Sequence, residues 1–204
     1  MPSDKEKPKE KQNYLEESVD KFLEYLEIER NVSPLTIRNY RHYLGRFCRW
    51  AAEKVAADTP AKIDIEIIRR YRLYLARYVD QNNLTLKRVT QSYYLIALRS
   101  FLKWLVKNDQ KVLPPEKIEL PKTESRSLKF LTVEQLDRLL AQPKISEARG
   151  LRDKAILEVL YSTGLRVSEL VKLNRDRVNL KSREFGVIGK GGRARVVFLS
   201  ERAV

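Results

Sequence analysis

Lys190 is a candidate functional residue, because it carries an ammonium group within the glycine-rich run Gly189-Lys190-Gly191-Gly192. The glycines would let a bound group approach the backbone closely, and the ammonium group is mobile. The run is not a Walker loop, which needs G-x-x-x-x-G-K-[ST] between a strand and a helix, and no G-x-G-x-x-G is present. A lone lysine in a turn is usually a solvated surface group. The run alone is therefore compatible both with a functional Lys190 and with an idle surface lysine.

Cysteine and histidine are too scarce for several kinds of site. The 204 residues contain one cysteine, Cys48, and one histidine, His42. An internal disulfide and a zinc site built from several thiolates are therefore excluded. A multi-histidine metal site, or a Ser-His-Asp enzyme with a second working histidine, is hard to build from one imidazole. We expect no metal or other cofactor.

Positive charge dominates the chain and is unevenly placed. The sequence has 41 Lys and Arg against 27 Asp and Glu, a formal net charge of +14. The net charge is −4 over residues 1–29, +11 over 30–107 and +8 over 122–204. Basic blocks of this density favour binding to a polyanion, because each phosphate contact releases condensed counterions. A merely solvated surface is the alternative.

Hydropathy argues against a membrane or secreted protein. No apolar run approaches the ~18 residues that a membrane span requires. The first residues, MPSDKEKPKEKQN, have no apolar stretch after their charges and so do not form a secretory signal. The sequence predicts a cytoplasmic protein without membrane contacts.

The first half of the chain is helical in pattern. Residues 1–13 are charged and low in complexity and are expected to form a disordered tail. Apolar spacing predicts four helices, over about 14–30, 34–53, 64–79 and 87–107. Their short connections indicate a compact bundle over residues 14–111. The prolines that follow favour an extended linker over 112–126.

The second half, residues 127–204, combines helices with a hairpin. Thr132 and Gln135 have the spacing of a capping box and open a helix to about Ala141. Two more helices are predicted, over about 151–162, with Gly164 as a left-handed cap, and over 167–173. The segments 184–189 and 195–200 are rich in β-branched and aromatic residues, and the glycine-rich turn joins them into a β-hairpin. The fold is therefore expected to be mainly α with a small β-hairpin.

Two motifs in this half resemble the tyrosine recombinase (phage integrase) family, especially its Xer-type members. The family's T-G-L-R-x-S-E-L matches Thr163 to Leu170, and its G-K-G-x-x-x-R hairpin matches Gly189 to Arg195. The helices of 14–111, with Ser33-Pro34-Leu35-Thr36, resemble the family's four-helix, SAM-like core-binding domain. The resemblance implies that 127–204 is the first part of an α+β catalytic domain.

Site roles follow from that resemblance. Arg166 would be the first catalytic arginine, whose planar fork donates to oxygens of the scissile phosphate. Lys190 would protonate the departing 5′-oxygen. Glu169 would orient Arg166, although a surface acid paired with Arg166 three residues away is an equal alternative. The family uses neither a metal nor ATP.

The sequence departs from the family's pattern after the hairpin. The family has an H-x-x-R pair and a nucleophilic tyrosine there, whereas this sequence has no H-x-x-R and no tyrosine beyond the hairpin. Tyr161 is expected to pack within its helix, and His42 to face DNA or solvent. We therefore expect a truncated recombinase that binds DNA and is inactive alone. A non-catalytic DNA-binding protein derived from a recombinase is the main alternative, and a helical RNA-binding or scaffold protein a lesser one.

The expected partner is double-stranded DNA, clamped by the two domains. The full-length form is expected to assemble with further recombinase protomers, whereas this fragment is expected to be monomeric without DNA. Both chromosome-dimer resolution and mobile-element integration remain open as tasks. The candidate DNA contacts, most of them to phosphates, are Arg38, Arg41, Arg46, Arg49, Arg88, Gln91, Arg99 and Arg193.

Overall fold

The structure, a computed structural model, describes residues 14–121 and 129–204, except for the side chain of Lys190. The chain divides into two compact units, with the boundary between Ser125 and Arg126. The predicted tail over 1–13 and residues 122–128, which include the end of the predicted linker, lie outside the described residues.

Four helices form the first unit, as the apolar spacing predicts. The second begins where Ser33 accepts a hydrogen bond from the Thr36 amide and Pro34 takes the first helical position. Asp64 caps the third in the same way, accepting from the Ile67 amide at 2.7 Å. The helices are α1 (Tyr14–Ile28), α2 (Pro34–Val55), α3 (Ile65–Arg77) and α4 (Arg88–Lys107).

The core of this unit lies where α2 and α4 pack together with α1 and α3. Leu44 and Phe47 of α2 and Leu98 and Phe101 of α4 are almost completely buried. Tyr71 of α3 lies edge-on to Phe47, with their ring centroids 4.9 Å apart. Close packing of this kind makes α2 and α4 a rigid support for the side chains on their outer faces.

The chain after α4 stays on this core. A single 3₁₀ turn spans Pro115–Lys117, and the next residue, Ile118, is completely buried. Val112 and Leu113 pack partly buried against the same cluster. The first part of the segment that its prolines predict to be a linker thus lies against the first unit.

The second unit contains three helices and the hairpin among its described residues. Thr132 and Gln135 form the predicted capping box, and Gly164 ends a helix with a left-handed φ of 60°. The elements are α5 (Val133–Leu140), α6 (Ala148–Thr163), α7 (Val167–Leu170), β1 (Glu184–Ile188) and β2 (Ala194–Phe198). The α6 helix starts three residues earlier than predicted and α7 ends three residues earlier.

The hairpin supplies most of the second unit's small core. Its strands are antiparallel, with Glu184 opposite Phe198 and Ile188 opposite Ala194. Inward residues alternate along β1, so Phe185 and Val187 are buried while their neighbours are exposed. The prediction that Tyr161 packs within its helix is wrong: its side chain is 60% exposed. The position of a residue in a helix does not show whether another element packs over that side of the helix.

Candidate active site and DNA interface

Arg166 and Glu169 are brought together by the turn between α6 and α7. Gly164 reverses the chain after α6, and Arg166 then precedes the first residue of α7. Glu169 lies in that helix and turns back, so that its Oε2 accepts from the Arg166 backbone amide at 2.9 Å. Its Oε1 accepts from Arg166 Nη1 at 3.0 Å. The arginine side chain remains 65% exposed, whereas that of Glu169 is only 8% exposed.

A second arginine, Arg195 of β2, binds the same carboxylate from the other side. Arg195 Nη2 donates to Glu169 Oε2 at 2.8 Å, and Nη1 donates to Oε1 at 3.1 Å. This two-point geometry is the strong form of an arginine–carboxylate contact. Glu169 is therefore an internal connector between α7 and the hairpin and not a solvated acid. Arg195 is not among the site residues predicted from the sequence, although it occupies the last position of the hairpin motif.

These donors fix the charge of Glu169. The hydrogen bonds from Arg195 and then the backbone amide of Arg166 lower the pKa of Glu169 to about 2. The same contact raises the pKa of Arg195. The carboxylate is thus ionised at neutral pH, and it accepts hydrogen bonds from both arginines.

The hairpin turn brings the backbone of Lys190 next to this trio. The Gly189 amide donates to the carbonyl of Arg193 at 2.8 Å, and Gly191 and Gly192 both have φ of 75°, where residues other than glycine are strained. A Cβ added to Gly189 would lie 3.1 Å from Arg195 Nη1. Lys190 is the next residue after Gly189, and its backbone therefore lies close to the contact between Arg195 and Glu169.

A cleft of about 580 Å³ opens beside Arg166. Lys172 and Arg177 also line it, and the structure shows no ion pair for either within the described part of the chain. Among the described residues that line it, Glu169 is the one carboxylate, and two arginines already bind it. The cleft therefore presents cationic donors without a competing free acid, which suits a phosphate group.

In the first unit, three of the predicted DNA contacts are exposed and free. Arg38 and Arg49 of α2 and Arg88, the first residue of α4, form no ion pair among residues 14–121 and 129–204. Arg99 of α4 is half-buried and likewise has no carboxylate partner within those ranges. Arg193, in the hairpin turn of the second unit, is exposed.

The other three predicted contacts have partners within the first unit. Arg41 Nη1 donates to Asp20 at 2.8 Å. The guanidinium of Arg46 lies 4.1 Å from the centre of the Tyr78 ring. Gln91 is half-buried and donates to the Leu86 carbonyl at 2.8 Å. Intramolecular partners of this kind depend on which helices pack together, which the sequence spacing did not reveal.

His42 is exposed on α2, but one ring nitrogen is engaged. Its Nε2 lies 3.0 Å from the hydroxyl of Tyr94, which is on α4. Partial burial of the imidazole removes some of its water and lowers the pKa of His42, and the positive charges of Arg46 and Arg49 lower that pKa further. The imidazole is therefore neutral at pH 7 and joins the two helices that present the exposed arginines.

The described residues contain neither a cluster of potential metal ligands nor a helix that could span a membrane. Over 14–121 and 129–204, histidine, cysteine and acidic side chains form no group of three or more placed to hold a metal ion. Within the same ranges, no helix has both the length and the apolar content needed to cross a membrane.

Two family models match the two units. The model described as "Phage integrase, N-terminal SAM-like domain" matches residues 19–109, and the one described as "Phage integrase family" matches residues 129–204. Tyrosine recombinase XerC of Pelobacter propionicus is 38% identical over 191 residues, and XerC of Escherichia coli is 34% identical over 191. Both alignments cover 93% of this chain and 61% of the relative, so the chain spans about three fifths of these relatives.

Solved structures show the same fold. The integrase of the Tn1549 transposon in complex with circular intermediate DNA gives a TM-score of 0.60 at 16% identity, over 91% of this chain and 61% of that one. XerH site-specific recombinase bound to palindromic difH substrate gives 0.59 at 21% identity, over 94% of this chain and 58% of that one. The predicted fold, a SAM-like helical domain followed by part of a recombinase catalytic domain, is confirmed. With both units matched and XerC relatives above one third identity, this chain belongs to the phage integrase family, the tyrosine recombinases.

Proposed function

We propose that this chain supplies the DNA-binding domain and the phosphate-activating part of a site-specific tyrosine recombinase, which breaks and rejoins DNA through a 3′-phosphotyrosyl intermediate. The observation that carries the proposal is the arrangement around Glu169. This buried carboxylate holds Arg166 by two hydrogen bonds and leaves the arginine side chain 65% exposed. A guanidinium that is tethered at one nitrogen and otherwise exposed keeps donors available for a phosphate that gains charge.

In the proposed reaction, Arg166 donates to the non-bridging oxygens of the scissile phosphodiester. A tyrosine hydroxyl gives its proton to solvent or to a base as its oxygen forms a bond to phosphorus, and the bond from phosphorus to the 5′-oxygen breaks. Lys190 gives a proton to that departing oxygen, so the leaving strand ends in a hydroxyl. Glu169 keeps its charge throughout and holds both arginines. Rejoining follows the same steps in reverse, which is why no external energy source enters the reaction.

The proposed partner is double-stranded DNA. Arg38, Arg49 and Arg88 support this, because they are exposed and have no intramolecular carboxylate in the described chain. Solved structures of similar fold hold DNA, XerH with its difH substrate and the transposon integrase with circular intermediate DNA. We propose that the whole protein assembles with further recombinase protomers on DNA, and that these 204 residues alone are monomeric without it.

We further propose that these 204 residues bind DNA without cleaving it. The only histidine of the sequence, His42, is followed three positions later by Gly45, so no H-x-x-R is present, and all ten tyrosines precede the hairpin. Without a nucleophile opposite Arg166, the covalent route has no first step.

Duplex binding measured against salt, together with trapping on a nicked suicide substrate, tests this proposal. We expect affinity to fall steeply with salt and no covalent protein–DNA product to form. Replacing Arg38 and Arg49 by alanine should reduce the slope of log affinity against log salt by about 0.9 for each phosphate that the variant no longer binds. Arg69→Ala is the matched control, because Arg69 of α3 is exposed but already bound to Glu66 at 2.7 Å.

Three results would contradict the proposal in different ways. A covalent adduct would show that one of the present tyrosines is a nucleophile. Binding to double-stranded RNA as tight as to DNA would favour the helical RNA-binding alternative. Equal slopes for the Arg38→Ala, Arg49→Ala double variant and the Arg69→Ala control would remove α2 from the DNA interface.

A further inference from the structure

The first unit contains a groove with an aromatic floor. It has a volume of about 800 Å³ and lies between α1, the carboxyl-terminal half of α4 and the chain that returns after α4. Trp104, which is half-buried, and Tyr25 form its floor together with Leu26 and Val112.

The aromatic floor is held in place by its neighbours. The Trp104 ring lies 5.6 Å from that of Phe22, 6.0 Å from that of Tyr25 and 6.4 Å from that of Phe101. Contacts on three sides leave the indole little freedom, so an incoming side chain would meet a preformed surface.

The rim of the groove is positively charged. Arg30, Lys103, Lys107 and Lys111 line it, and Glu116 is its one acidic residue. None of these four cations forms an ion pair within 14–121 and 129–204. Lys107 Nζ lies 5.9 Å from the centre of the Tyr25 ring, so charge extends over the aromatic floor. Glu24 and Glu29 lie with Lys107 along an adjoining groove, but within this groove four cations face one carboxylate among the described residues, which favours an anionic partner.

The apolar floor distinguishes this groove from a phosphate-binding surface. The backbone of duplex DNA offers charge but no apolar group to fill a concave aromatic pocket, and its bases are stacked and paired. An acidic peptide with a large apolar side chain satisfies both the rim and the floor, as an anchor residue does in a hot-spot pocket.

We propose that this groove binds an acidic peptide segment of a partner protein, with one aromatic or large aliphatic side chain seated on Trp104 and carboxylates against Lys103, Lys107 and Lys111. The groove is lined by residues of the first unit, whereas the cleft beside Arg166 is lined by residues of the second. This proposal does not depend on the chain's role in recombination.

Nuclear magnetic resonance of the ¹⁵N-labelled 204-residue chain tests the proposal through its two tryptophan indole signals. The probe is a short peptide with glutamates on both sides of a central phenylalanine. We expect the Trp104 signal to move on titration, while that of Trp50, which is 6% exposed, stays fixed. A peptide with serine in place of phenylalanine is expected to bind about tenfold more weakly, since a buried aromatic anchor is worth at least that factor.

Charge reversal on the rim supplies the second measurement. Lys111→Glu lies beyond the end of α4 and should weaken the phenylalanine peptide about tenfold. Lys87→Glu is the control, because Lys87 is exposed at the opposite end of α4 and makes the same change of net charge. Equal effects of the two variants would mean attraction to the whole chain and would overturn the proposal.

Two further outcomes would also overturn it. If the serine peptide moves the Trp104 signal as strongly as the phenylalanine peptide, the apolar floor plays no part. If duplex DNA displaces the peptide from Trp104 and moves the same signal itself, the groove belongs to nucleic acid.

Discussion

Glu169 and Arg195 are 26 residues apart in the chain and are joined by two hydrogen bonds of 2.8 and 3.1 Å. The carboxylate comes from the short helix that follows Arg166, and the guanidinium comes from the second strand of the hairpin. This contact ties the helix that presents Arg166 to the turn that contains Lys190. Arg166, directly before the short helix, and Lys190, in the turn before the strand, are therefore positioned by the same Glu169–Arg195 contact.

Removing Arg195 should change how Glu169 titrates. Arg195 makes the largest contribution to the lowered pKa of that carboxylate, so Arg195→Gln is expected to raise the pKa of Glu169 from about 2 toward its ordinary value. Titration followed by ¹³C resonance of the carboxyl carbon measures this directly. Arg183→Gln is the control, because Arg183 pairs with the exposed Glu201 and not with Glu169. An unchanged Glu169 titration in Arg195→Gln would mean that the contact is absent in solution.

A methyl group at Gly189 should disturb the same contact. The added Cβ would lie 3.1 Å from Arg195 Nη1, and the guanidinium has little room to retreat while both its Nη atoms hold Glu169. We expect Gly189→Ala to lower the free energy of unfolding of the second unit by about 1 kcal/mol. Gly186→Ala is the matched control, because no atom lies within 4 Å of the added Cβ and its φ is not positive. Urea unfolding followed by hairpin amide signals compares the two, and equal losses would contradict the steric account.

The segment after α4 should contribute to the stability of the first unit. Ile118 is completely buried, so Ile118→Ala is expected to cost about 2–5 kcal/mol of unfolding free energy. Leu120, two residues further on, is 38% exposed, and Leu120→Ala should cost under about 1 kcal/mol. Both tryptophans of the chain belong to α2 and α4, so their fluorescence reports unfolding of this unit. Similar midpoints for the two variants would show that Ile118 does not belong to the core.

The single histidine makes the first unit sensitive to pH. Burial, Arg46 and Arg49 lower the pKa of His42 below 6.5, whereas in the unfolded chain it stays near 6.5. Below that pH the unfolded state binds a proton that the folded state does not, so stability falls as pH drops through 6.5 and levels off below the folded pKa. Urea midpoints followed by tryptophan fluorescence, from about one unit above the ordinary imidazole pKa to about one and a half units below it, measure the loss. The loss should vanish in His42→Gln, and a variant that keeps it would assign the pH dependence elsewhere.

The sequence predicts those features of the fold that depend on residues close to one another in the chain. The capping box of Thr132 and Gln135, the left-handed Gly164 and the β-hairpin each involve residues close together in the chain, and the sequence predicts all three. The pair of Arg166 and Glu169, three residues apart, belongs to the same class.

Contacts between distant segments were not predictable in this way. Arg195 reaches Glu169 across 26 residues, and Arg46 meets Tyr78 only because α2 packs beside the end of α3. Ile118 follows two prolines that favour an extended chain, yet tertiary packing buries it. In each case the partner is chosen by packing, which residue spacing does not encode.

The trio of Arg166, Glu169 and Arg195 has an uneven balance of charge. Two guanidinium groups share one carboxylate, so the trio keeps a net charge of +1 as long as Glu169 is ionised, which its pKa of about 2 ensures at neutral pH. The surplus lies on the arginine that is 65% exposed. One phosphodiester carries one negative charge, so a single bound strand would bring the trio to neutrality without displacing the carboxylate. One nitrogen of that guanidinium is already bound to Glu169 before any phosphate binds, and its other donors remain available.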